Sequence, residues 1–516
     1  MSFENRAYRR VILLQNDKDV SAPLDKLTAL LTQAIAAKYK DPLLVMHLVT
    51  VPPTEPDFDK PKKVHGVDHV WVVASGPSLK ATILTALGQY RSSYAAIYLD
   101  PFKDGPAFAD LEGMIELLVL VVKDRTRVFE PSPAYSTLLV ELLQDSPGAP
   151  REAGSFTQKM DAFMKQRMEE ILKLGAEQGA CMDLPQGPVQ PERFRIRLDL
   201  EKVGGFADPD FDLLPDSMKD SFGRFARAVT NRRVGLALGG SGAWSYGHVD
   251  FVLGLLQRGV PIDMISGASG GTFVGAYYAA QGTIGLGIYV SRALTLQLLL
   301  VPAFFTMAVI EWLFDYDLGV INLDDLEIPL YPVATNLTDG KEDVIVGKTV
   351  GWGARASASA PGIFASTIVD KIIYVDGAVT DNVPATVVAD MGAALVIASN
   401  ALPAPNSRQP IWQPDTVIGR FLQQFNPIGR IADAITSASL MFHDSGNFQA
   451  RAAGAQVLYE PTPRWFPVAR AFLFIAATDV MASTRTDPQF IKALDEAEAA
   501  WDQLSQPMTA PSNTNP

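Results

Sequence analysis

Residues 234–280 read VGLALGGSGAWSYGHVDFVLGLLQRGVPIDMISGASGGTFVGAYYAA, one scheme stated twice. An apolar run over 234–238 meets a glycine-rich turn, and an amphipathic helix is expected from Tyr246 to Gln257. A second apolar strand, Ile262 to Ile265, meets the turn Gly267-Ala268-Ser269-Gly270-Gly271, and a second helix opens at Thr272. Strand, tight turn and helix in that order set the N–H groups of each turn at the positive end of a helix. The second turn fits G-x-S-x-G, where small neighbours at Gly267 and Gly271 let a serine take a strained, accessible position. As a bare pentapeptide it arises by chance in about one of several chains this long, so the strand-to-helix setting carries the reading. A glycine-rich packing turn is the alternative.

The first turn can serve as an oxyanion hole. Consecutive small residues at Gly240, Ser241 and Gly242 leave several N–H groups to point at one developing negative charge, where a lost donor costs about 3–4 kcal/mol. A phosphate-binding loop and a plain tight turn compete with that reading. Ser241 lacks the closing glycine of an elbow and ranks below Ser269 as a nucleophile.

A serine nucleophile needs a base. The five histidines are scattered, and His248, early in the first helix, suits packing or capping better than proton transfer. An aspartate is the other candidate. In KIIYVDGAVTDNVP (371–384) an apolar strand, Ile372 to Val375, ends in Asp376-Gly377-Ala378. A carboxylate at a strand's end can reach a neighbouring loop on the same sheet edge, where α/β sites gather.

These blocks resemble the patatin-like phospholipase family, whose members use a Ser-Asp dyad rather than a triad. The resemblance rests on Gly239–Gly242, the elbow with Ser269, Asp376 to Ala378, and ARASASAPGIF (354–364), an Ala/Ser run ending in Pro-x-x-Phe. It covers residues 234–384, with a later core strand expected in RAAGAQVLYEPTP (451–463). It implies catalytic Ser269 and Asp376, oxyanion donors from Gly240, Ser241 and Gly242, no metal or other cofactor, and a three-layer domain with a central, mostly parallel sheet. The first loop departs from the family's G-G-G-x-[RK]-G: Ser241 replaces a glycine, Trp244 the basic residue and Ser245 the last glycine.

Outward from this block, 516 residues exceed one ordinary core. Residues 1–150 alternate strand-like runs (11–14, 43–49, 69–75, 94–100, 116–122) with helical periods over 24–39 and 79–90. That pattern reads as a small α/β accessory domain, and it resembles the segment preceding the catalytic domain in neuropathy target esterase-like lysophospholipases. No phosphate-cradling motif accompanies it. Residues 151–232 read as a connector with helices at 156–174 and 217–231 and an alternating run RFRIRLDLEKV, 233–505 as the catalytic domain, and 506–516 as a disordered tail.

The formal net charge of −13 opposes phosphate backbones, so no nucleic-acid partner is expected. A single cysteine, Cys181, makes no intrachain disulfide. The N-terminus offers too short an apolar run for a signal-peptide core, so a cytoplasmic protein is expected. Residues 293–310 carry no charge, but Gln297 and Pro302 interrupt them, and a buried or interfacial helix pair is expected rather than a membrane span. Trp312, Phe314 and residues 464–477 would add either interfacial surface or ordinary core, and Arg6, Arg9 and Arg10 a local cationic patch.

The sequence therefore points to a cytoplasmic or membrane-peripheral acyl-ester hydrolase acting on phospholipid or lysophospholipid. The alternative of another class is a catalytically weakened lipid-binding or regulatory protein, motivated by Ser241 and Trp244. A serine peptidase lacks both a placed histidine and a peptide cleft.

Overall fold

A computed structural model describes residues 11–16, 20–40, 43–49, 62–65, 67–73, 94–98, 115–122, 136–143, 193–197, 210–369, 371–403, 427–462 and 472–507. The helices expected at 79–90 and 156–174, the arginines at 6, 9 and 10, Cys181, residues 464–471 and most of the tail lie outside them. The chain divides into two compact units.

The first unit holds a sheet of eight strands: β1 Val11–Asn16, β2 Leu43–Val49, β3 Lys62–Val64, β4 Val67–Val73, β5 Tyr94–Tyr98, β6 Leu117–Val122, β7 Ser136–Leu143 and β8 Arg193–Arg197. Their order is β3-β4-β2-β5-β1-β6-β7-β8, parallel throughout except for the β3–β4 pair. Continuous apolar runs such as LLVLVV, buried at every position, suit strands covered on both faces. Helix α1, Leu24–Tyr39, falls where its periodicity put it. The run RFRIR, read as part of a connector, is a strand of this sheet beside β7, and helix α2, Asp216–Val229, belongs to the same unit.

The second unit is built on β9 Val234–Leu238, β10 Met264–Ala268, β11 Leu330–Asn336, β12 Lys341–Val344, β13 Thr367–Val369, β14 Ile372–Asp376, β15 Leu395–Ser399 and β16 Val457–Tyr459. They run β13-β14-β11-β10-β9-β15-β16, with β12 also on β11. Strands β9, β10, β11, β15 and β16 are parallel, and β12, β13 and β14 add an antiparallel edge.

Its helices include α3 Tyr246–Gln257, α4 Gly270–Ser291, α5 Ala293–Phe305, α6 Ala308–Leu318, α7 Val350–Ser357, α8 Ala385–Asp390 and α9 Pro427–Ala452. The alternation in VGLAL assigns the two faces of β9. A Cβ on Gly235 would sit 2.7 Å from the Cβ of Val388 in α8. Ala237 packs in the same cluster, with Val388, Val396 and Ala398. Leu238 faces the other way, toward Gly275 of α4. Small residues on one face and large ones on the other thus set a helix against each side of the sheet, and the unit has three layers.

The strand expected at 262–265 begins at Met264 and runs on to Ala268, and the following helix starts at Gly270 rather than Thr272. Both shifts have one cause: the turn is a single residue, Ser269, so strand and helix close directly on it. Helix α4 breaks at Gly282, where φ is 61° and ψ −142°. Its axis and that of α5 meet at 67°, and no single described helix is long and apolar enough to cross a membrane. The bend is fastened by Asp317 of α6, which accepts from the Tyr277 hydroxyl at 2.7 Å and from the Arg292 guanidinium. Trp312 and Phe314, for which the sequence left interface and core open, are buried at 7% and 1% exposure. They face inward and form core.

A candidate active site at the nucleophile elbow

Ser269 follows the last residue of β10 and stands at φ 49°, ψ −122°, a conformation that costs a non-glycine residue about 1–3 kcal/mol. Its surroundings hold it there. The Ser269 N–H donates to the Ser357 carbonyl at 3.2 Å and to the Ser357 hydroxyl at 3.0 Å. That hydroxyl also pairs with Thr272 Oγ1 at 2.8 Å. The flanking glycines are sterically required: a Cβ on Gly267 would lie 2.7 Å from the Thr272 nitrogen, and one on Gly271 2.2 Å from the Leu238 carbonyl oxygen.

Asp376 ends β14, an antiparallel neighbour of β11. Ala268 of β10 pairs with Val333, and the next residue of β11, Ala334, pairs with Asp376. The residue after Ala268 is Ser269, so serine and aspartate fall on one row of the sheet. Ser269 and Asp376 line one cavity, and the serine hydroxyl is near enough to the carboxylate to lower its pKa. That carboxylate accepts from the Ala378 N–H at 2.9 Å, and the Asp376 N–H is held by the Ser359 carbonyl at 3.0 Å. A Cβ on Gly377 would meet the Val333 carbonyl oxygen at 2.2 Å, which fixes a glycine after the aspartate. Asp376 is 4% exposed. Burial raises its pKa to about 6, against the lowering effect of the Ser269 hydroxyl and the Ala378 N–H.

The glycine loop comes within van der Waals contact of the serine. A Cβ on Gly240 would lie 3.1 Å from the Ser269 Cβ and 2.8 Å from Asn382 Oδ1. Of the three expected donors, Gly240 is corrected: its N–H is already bound by the Asn382 carbonyl at 3.0 Å. The N–H groups of Ser241 and Gly242 have no acceptor among the described residues, and neither has that of Gly270, the residue after the elbow serine. All three residues line the same cavity as Ser269.

His248 is buried and pins this loop. Nε2 lies 2.8 Å from the Gly239 carbonyl and Nδ1 2.9 Å from Ser399 Oγ, while the Gly239 N–H reaches the Ser399 carbonyl at 2.9 Å. Since a carbonyl only accepts, Nε2 carries the proton and Nδ1 accepts from the serine. Burial lowers the His248 pKa to about 4, so the ring is neutral and structural, as its helical position led one to expect. The substituted loop residues are packed as well: Trp244 is 3% exposed, and the Ser245 hydroxyl pairs with the Tyr289 hydroxyl at 2.6 Å.

A cavity of about 470 Å³ opens over Ser269 and Asp376. Its walls come from α4 to α6 (Phe273, Leu296, Leu300, Ile310), the 358–364 turn, α9 (Phe442) and the 472–474 segment. No Lys, Arg or His lines it among the described residues, and Asp376 is its one ionisable lining group there. Among the described residues no cluster of His, Cys, Asp or Glu could hold a metal.

Sequence reasoning missed several contributors. Ser357 and Ser359 sit inside the Ala/Ser run, yet nothing in the run said that they hold the elbow and the aspartate strand. Asn382 and Ser399 carry no local signal. The Gly270 N–H was legible, because an elbow places the next residue at the first turn of a helix.

The structure thus brings an elbow serine and a buried aspartate together beside a glycine loop in one cavity. Residues 236–389 match the family described as patatin-like phospholipase. It is 27% identical over 237 residues to lysophospholipase NTE1 of Kluyveromyces lactis, a match covering 43% of this chain and 16% of the relative. To lysophospholipase NTE1 of Candida albicans it is 30% identical over 226 residues, covering 40% and 16%. The matched region thus spans under a fifth of these relatives' length. Among solved structures, VipD of Legionella pneumophila aligns over 52% of this chain and 67% of that one at 12% identity and a TM-score of 0.25.

Proposed function

We propose that this chain is a serine acyl-ester hydrolase that removes a fatty acyl group from a lysophospholipid or phospholipid. The observation carrying the reading is that the elbow serine Ser269 and the buried carboxylate of Asp376 line the same, largely apolar cavity. Asp376 takes the hydroxyl proton as Ser269 Oγ attacks the ester carbonyl carbon. The oxyanion of the tetrahedral intermediate is met by the N–H groups of Ser241, Gly242 and Gly270. Collapse breaks the carbon–oxygen bond to the glycerol side, and that oxygen leaves with the proton held by Asp376. Water then gives a proton to Asp376, attacks the acyl-enzyme and releases the fatty acid, restoring Ser269.

The relatives named lysophospholipase support the substrate class, and the cavity's apolar walls support an acyl chain as the group bound there. Loss of the family's basic residue at Trp244 leaves the backbone donors in place, which favours an active site over a decayed one.

A fluorophosphonate probe tests the reading. Labelling of the wild type that disappears in Ser269→Ala, with fatty acid released from lysophosphatidylcholine by the wild type alone, supports it. A folded wild type that neither labels nor releases fatty acid overturns it in favour of a lipid-binding protein.

A further inference from the structure

Helix α5 is apolar on two sides, and one of them is uncovered. Leu296, Leu299 and Ala303 are buried, whereas Leu294, Leu298, Val301 and Phe305 recur at the spacing of one face and are 62%, 67%, 71% and 75% exposed. A patch of that kind marks an interaction surface.

This face is continuous with the cavity. Leu300, Ile363, Phe364 and Phe472 line both the cavity and a shallow outer groove bounded by Val301, Phe304 and Phe305. Across the mouth, Leu440 and Met441 stand exposed beside the lining residues Ser439 and Phe442, and Leu473 and Ile475 beside Phe472 and Phe474. Residues 293–310, 437–442 and 472–477 contain no charge. An apolar path therefore runs from the surface to Ser269.

We propose that this rim docks on a lipid bilayer, with α5 lying in the plane of the interface and the groove passing an acyl chain to the cavity. The proposal deepens the hydrolase reading and rests on it for the purpose of docking. A protein seated on the rim would cover the groove by which substrate enters, whereas a bilayer presents acyl chains at that place. Because the described rim segments 293–310, 437–442 and 472–477 carry no charge and the chain carries −13 overall, apolar burial drives the docking, so it needs no anionic lipid and resists salt.

The test is flotation of the full chain with phosphatidylcholine vesicles. The wild type should float equally at 0.1 and 0.5 M salt, and without gain when a fifth of the lipid is phosphatidylserine. Leu294 and Leu298 line neither the cavity nor the groove. The double variant Leu294→Asp, Leu298→Asp should lose flotation tenfold or more and lose activity on vesicle substrate in proportion. Its hydrolysis of a soluble short-chain ester should stay within twofold of wild type, which also reports folding. Ser269→Ala should float like the wild type. Absence of wild-type flotation, or a double variant that floats as well, overturns the docking. So does a wild-type dimer in lipid-free buffer that the double variant converts to a monomer. Flotation without soluble-ester hydrolysis would instead refute the hydrolase reading and leave the docking standing.

Discussion

Ser269 and Asp376 stand on one row of the sheet and line one cavity, although the aspartate's strand runs against the strand that carries the elbow. The two residues meet because β10 ends at Ala268, opposite the middle of β11, while β14 enters beside Asn336 and descends to the same level. A carboxylate at the far end of a parallel strand would have reached the rim by another route. Here the antiparallel edge delivers it.

This geometry sets the pH dependence. Asp376 must be ionised to accept a proton, and burial raises its pKa to about 6. Soluble-ester kcat/KM should rise about tenfold per pH unit below that value and level off above it. His248, neutral with a pKa of about 4, should add no further inflection between pH 5 and 8. A profile that falls over this range would contradict Asp376 as the base. Ser269→Ala and Asp376→Asn should each lower kcat by about 1000-fold or more.

Stability should move the opposite way in Asp376→Asn. A folded-state pKa raised above the ordinary value means that the native state favours the neutral carboxyl, so stability is lost as pH rises through about 6. Asparagine removes that loss and can still accept from the Ala378 N–H. The variant should melt above wild type at pH 8, by up to about 3 kcal/mol, with the gap closing toward pH 4. Thermal melts across that range give the answer.

Ser357→Ala should weaken the elbow without emptying the site. The substitution removes one of two acceptors for the Ser269 N–H and the partner of Thr272 Oγ1, at a cost of about 1–2 kcal/mol in stability. With Ser269 less firmly held in its strained conformation, kcat should fall several-fold while KM is unchanged. Steady-state kinetics on a soluble ester would separate the two parameters.

Two glycines should answer oppositely to alanine. At Gly240 the new methyl would crowd Asn382 Oδ1 at 2.8 Å and the Ser269 Cβ at 3.1 Å, so probe labelling should drop at least tenfold. At Gly287, exposed within α4, nothing lies within 4 Å, so alanine should stabilise by about 0.5–1 kcal/mol with activity intact. Parallel melts and labelling rates distinguish the two.

Much of the site was legible because its grammar is local. VGLAL, the G-x-S-x-G pattern of the elbow and the glycine after Asp376 each follow from steric demands within a few residues, and α3 fell on the residues its periodicity marked. A neighbour distant in sequence decided the rest. Gly240 lost its free N–H to Asn382, some 140 residues on, and Phe314, which could have been surface or core, is core because it packs on Phe273 and Tyr277 of α4.

What the sequence determined by itself, then, was the succession of strands, turns and helices and the choice of a hydroxyl and a carboxylate as candidates. Which backbone donors stay free, which face of α5 stays bare, and how an antiparallel strand brings Asp376 level with Ser269 were decided only in three dimensions. Those outcomes depend on pairing register and packing between segments far apart in the chain, and no short window of residues encodes them.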